Sequence, residues 1–188
     1  MLESVSNRIV VQRIQQAVEE DVAESIKEEL ANLYGVTVDS FSYSNAGKPA
    51  FGLAEVTLTV GIVGPLVYKF FEPLITTAGE AFRDKVLDTI RKTKGAPGGP
   101  YIGVSIEFGD ASDEEFPETP IRYYFYRRID DKELVTRLKA ADEHFNSLPP
   151  ELLSERAAPV EYGFFWDHET QQWRGCVWRQ GDEPYGED

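Results

Sequence analysis

The sequence predicts an α+β fold built on an antiparallel sheet, and three observations lead there. Val56, Leu58, Val60 and Ile62 alternate with Glu55, Thr57, Thr59 and Gly61, the two-residue period of a strand with one buried face. Leu134, Leu138, Ala141 and Phe145 recur at the spacing of one helical face. Segments of the two kinds alternate along 188 residues that are 41% hydrophobic and 28% charged, an ordinary globular composition in a chain long enough to bury a core without staples.

Taken in order, Ile14, Val18, Val22, Ile26 and Leu30 recur every four positions before Gly35, so a helix over 7–34 is expected as an N-terminal extension. Val36 to Ser44 is β-branched and aromatic and reads as a strand, as does Phe51 to Val63. Pro65 suits a first helical position, Pro73 predicts a kink or restart, and the helix resumes to about Lys92, where basic residues suit the negative end of the helix dipole. The glycine-rich run at 95–100 breaks the chain before a strand in which Ile102, Val104, Ile106 and Phe108 point one way. Ile121 to Ile129 reads as a further strand. Asp130 and Glu133 then form the pattern of a capping box for a helix through Asn146. Val160 to Trp166 and Trp173 to Arg179 look like hairpin arms joined by a polar turn. The expected organisation is a single domain over 1–180 with a flexible acidic tail at 181–188.

From about residue 51 to 166 the order is βαββαβ, which resembles the ferredoxin-like element order and implies two helices on one face of the sheet. A second parsing has three helix-plus-hairpin units starting near Asn7, Pro65 and Asp131, without a residue-level repeat between them. On the ferredoxin-like reading, strand parity sends Arg122, Tyr124, Tyr126 and Arg128 to the uncovered face. With Trp166 set opposite Trp173, the same face receives Phe165, Arg174 and Trp178. Tyr, Trp and Arg dominate binding hot spots because they bury large rigid area and still make polar contacts. The N-terminal helix is the competing occupant of that face, since it too must bury its apolar stripe.

The formal charge is −14, and its distribution is uneven. Residues 110–188 carry nineteen acidic against nine basic side chains, with a loop containing Asp110, Asp113, Glu114, Glu115 and Glu118 and no base. That field disfavours nucleic acid and anionic membrane and favours a basic partner. The strand around Tyr124 and Tyr126 resembles a base-stacking strand of RNA-binding sheets, but the signature glycines are missing and the first strand offers no stacking aromatic. The single cysteine, Cys176, excludes an intrachain disulfide and a cysteine-based zinc site and fits a reducing cytoplasm. The N-terminus lacks the pattern of a secretory signal, and no apolar run reaches the length of a membrane span. The acidic run lacks the ligand spacing of a calcium loop, so neither metal nor cofactor is implied.

Catalytic patterns are sparse. His168 between Asp167 and Glu169 is a candidate acid–base group, although a polar hairpin turn accounts for the same three residues. The functional expectation is therefore a non-catalytic module that binds another macromolecule, most plausibly a basic protein, as an inhibitor, immunity protein or complex subunit would. Mimicry of nucleic-acid charge is a variant of that reading. The alternative is an enzyme or sensor holding a small anionic ligand on the uncovered face with Arg122, Arg128 and Arg174.

Overall fold

In the computed structural model, which describes residues 7–14, 18–43, 56–92, 103–109, 121–126, 129–149 and 160–179, the first described element is a strand. Arg8–Ile14 (β1) precedes the helix Glu20–Tyr34 (α1). The expected helix over 7–34 is thus two elements. Ile9, Val10 and Val11 form a β-branched run that prefers a pleated surface, and only the apolar positions from Val22 onward form the helical stripe. Gly35 ends α1 in the left-handed conformation, with φ of 63°, and its N–H donates to the Ala31 carbonyl.

Strands Val38–Tyr43 (β2) and Val56–Val63 (β3) follow. The proline-bearing segment is broken, but not after Phe71: a 3-10 turn at 65–69 leads into the one-turn helix Phe71–Leu74 (α2), which contains Pro73, and a second turn at 77–79 precedes the restart at Glu80–Lys92 (α3). Arg83, nearly sealed, stitches this break: Nη1 donates to the Leu74 and Thr76 carbonyls at 2.8 and 2.7 Å, and Nε donates to Asp131 at 2.8 Å. A side chain at Gly79 would place its Cβ 2.6 Å from the Leu74 Cα, so the restart needs glycine there. The remaining elements are Gly103–Gly109 (β4), Ile121–Tyr126 (β5), Asp131–Ser147 (α4), Val160–Asp167 (β6) and Gln172–Arg179 (β7). Asp130 caps α4 by accepting from the Glu133 N–H at 2.7 Å.

The seven described strands form one sheet in the order β2-β1-β3-β4-β5-β6-β7. The sheet is mixed, which corrects the antiparallel ferredoxin-like expectation. In that fold each helical crossover skips a position so that the two units interleave. Here β1/β2, β3/β4 and β5/β6 are parallel neighbours, each joined through its own helical connection, while β1/β3, β4/β5 and β6/β7 are antiparallel. The molecule is therefore three consecutive βαβ units plus a final hairpin strand.

The helices all pack on one face of the sheet. The buried cluster joins α1, α3 and α4 to strand residues sharing one parity, Ile9 and Val11 through Val60, Ile106, Tyr123 and Phe164 to Trp173. The first two crossovers have one hand and β5-α4-β6 the other, although a right-handed turn is the strong preference for such units. At the centre Phe70, Phe71, Phe108 and Tyr123 meet edge to face, with ring centroids 5.2–6.2 Å apart. Burying each such ring contributes about 2–3 kcal/mol.

Candidate functional site

On the side away from the helices one register row crosses the whole sheet: Phe41, Gln12, Thr59, Ser105, Tyr124, Phe165 and Arg174. A neighbouring row runs through Asp39, Val10, Gly61, Glu107, Arg122 and Gly163. Sequence parity therefore puts Arg122, Tyr124, Phe165 and Arg174 on the side where the backbone places them, and the assumed Trp166–Trp173 pairing is the observed one. The N-terminal helix does not lie here, because α1 packs beside α3 on the opposite face.

These side chains assemble across strands. Tyr124 and Phe165 stack with centroids 4.7 Å apart and planes 5° from parallel. The Arg122 guanidinium lies 5.7 Å from the Tyr124 ring centroid, and its Nη1 donates to the Tyr124 hydroxyl at 3.2 Å. Arg122 is also ion-paired with Glu107, which is buried. Thr59 and Ser105 share a hydrogen bond of 2.9 Å and are buried as well. Toward the two edges, Arg8 Nε meets Asp39 at 2.9 Å and Arg174 Nε meets Asp167 at 2.5 Å. The face thus has a closed polar centre, a half-buried aromatic stack and exposed margins, with Phe41 at 41% and the Arg174 side chain at 68% exposure.

Tyr126 pairs with Gly103, and Trp178 with Glu161, at register positions of the same parity. Their side chains lie outside the described residues, as do Arg128 and the acidic run Asp110, Asp113, Glu114, Glu115 and Glu118. Sequence reasoning missed Phe41, Asp39 and Glu107, and it named Asp167 without its pairing to Arg174. Glu107 follows Gly103 and Ser105 at the polar positions of its strand, a pattern that could have revealed it.

The acid–base candidates are separated. Asp167 turns to the face away from the helices, where it meets Arg174 and accepts from the N–H groups of Glu169 and Thr170 at 2.9 and 3.3 Å. Burial alone would raise its carboxyl, but these turn donors and Arg174 outweigh it and hold Asp167 below the usual range. His168 points to the helix side instead. Its Nδ1 lies 3.7 Å from Glu133 and its Nε2 3.5 Å from the buried Arg137, which sits against Trp166, 5.8 Å from the ring. Of the three, only His168 meets α4, and its two ring nitrogens lie beside Glu133 and Arg137 while Asp167 turns to the other face. Glu169 is exposed in the same turn.

The other histidine, His144, is joined to the sheet. His144 Nδ1 stands 2.8 Å from the Tyr123 hydroxyl, a contact between β5 and the last turn of α4 that no local sequence signal announces. Among the described residues no group of three or more His, Cys, Asp or Glu side chains could hold a metal ion. No described helix is long and apolar enough to cross a membrane.

No family model matches the chain, and no curated protein is detectably similar to it.

Proposed function

We propose that the chain is an interaction module that binds a basic protein, with the sheet face around Arg122, Tyr124 and Phe165 as its docking centre. The observation behind this reading is that Arg8, Arg122 and Arg174 on that face each have a carboxylate partner on an adjacent strand. Among the described residues the arginines of this face are thus neutralised rather than gathered for a small anionic ligand, which supports macromolecular docking over the anion-pocket alternative. Six inter-strand steps of about 4.8 Å carry the row roughly 30 Å across. With strands of about 20 Å, the face approaches the roughly 800 Å² per partner of a standard interface. The net charge of −14 then speeds encounter with a basic partner, while the stacked aromatics and Arg122 supply the anchor.

The test is affinity capture from the native host by the full chain, by Tyr124→Ala and by Phe165→Ala, each over a salt series. The expected result is one stoichiometric protein of high isoelectric point, released as salt rises, with affinity reduced at least about tenfold in either variant. Equal capture by all three chains, or an acidic partner indifferent to salt, would overturn the proposal.

A further inference from the structure

We propose that the Tyr123–His144 hydrogen bond is an acid-sensitive latch, which holds the C-terminal turns of α4 on the sheet and releases them when His144 is protonated. Tyr123 is completely buried, with its ring against Phe71, Phe108, Phe164 and Trp173. Its hydroxyl proton therefore needs an acceptor inside the protein; His144 Nδ1 stands 2.8 Å away, and the latch assigns it that role. This requires the neutral imidazole with its proton on Nε2. A proton added to Nδ1 would turn the phenolic hydrogen toward aromatic carbon. The fold thus favours the neutral form of His144 over the charged one.

Surrounding groups have been placed on both sides of this balance. The His144 ring packs against Phe164, with centroids 4.5 Å apart, and its half-burial holds it below the ordinary histidine value of 6.5. Asp142 and Glu143 lie beside it on α4, and Glu72 from α2 acts on Asp142, whose own carboxyl is raised first by burial and then by Glu72. Burial of the imidazole is what lowers its titration. Because the folded state binds this proton less tightly than the unfolded chain, the latch is intact above pH about 6.5 and weakens as the pH falls through the folded value.

Melting temperature measured from about pH 7.5 to about pH 5 tests this. The wild type should lose about 3–5 °C for each pH unit separating the folded and unfolded titrations of His144. His144→Asn, whose amide oxygen can accept from Tyr123 at any pH, should abolish that fall. His168→Asn and Asp142→Asn should retain it. Nitrogen NMR of the wild type, which does not depend on any variant folding, should show Nδ1 unprotonated at neutral pH. An Nδ1–H tautomer there, or an undiminished fall in His144→Asn, would overturn the latch.

Discussion

The two faces of the sheet are made by the same strands and are held in different ways. Toward the helices, Leu58, Val60, Ile62, Val104, Ile106, Phe108, Ile121, Tyr123 and Phe125 are sealed and almost wholly apolar, so stability there scales with area and packing. On the other side it rests on particular cross-strand pairs: Thr59 with Ser105, Glu107 with Arg122, and Tyr124 with Phe165. A two-residue period thus delivers a packed core and a patterned surface from one stretch of chain. The first tolerates exchange of equal volumes; the second depends on which partner faces which.

Substitutions should sort along that contrast. Phe108→Ala, at the centre of the aromatic cluster, should cost about 3–5 kcal/mol in denaturant unfolding; a cost below about 1 kcal/mol would mean the ring is not in the core. Glu107→Ala should cost about 2–3 kcal/mol, because it removes the carboxylate from a largely buried guanidinium. The double variant with Arg122→Met should recover part of that loss, and strict additivity would break the pairing argument. Phe165→Ala removes one half-buried ring of a stack and should cost about 1–2 kcal/mol. Arg8→Ala breaks an exposed pair and should change stability by less than about 0.5 kcal/mol.

The parity of the strands and the cap of α4 were legible because both are local: alternation in Val56–Val63 and Ile121–Tyr126, and Asp130 three residues before Glu133, need no distant partner. The topology was not. Residues 8–14 continue, through Ile14 and Val18, into the four-residue spacing of α1, and that continuity concealed a strand whose β-branched run argued otherwise. Losing β1 hid the neighbour of β3, so the adjacent return of each crossover could not be inferred from element order. The face itself was readable by parity, but its neutralised state was not, since Glu107 meets Arg122 and Asp167 meets Arg174 only once strands are paired. His144 and Tyr123, distant in sequence, meet only through α4 docking on the sheet.

The central proposal is tested most directly by side-chain footprinting of the captured complex, comparing labelling of aromatic, arginine and carboxylate groups with and without the partner. Protection concentrated on Phe41, Tyr124, Phe165 and Arg174, with Glu20, Glu28 and Asp84 on the outer helix surface still labelled, is the predicted pattern. Protection of the helix surface with unchanged labelling of Tyr124 and Arg174 would contradict it.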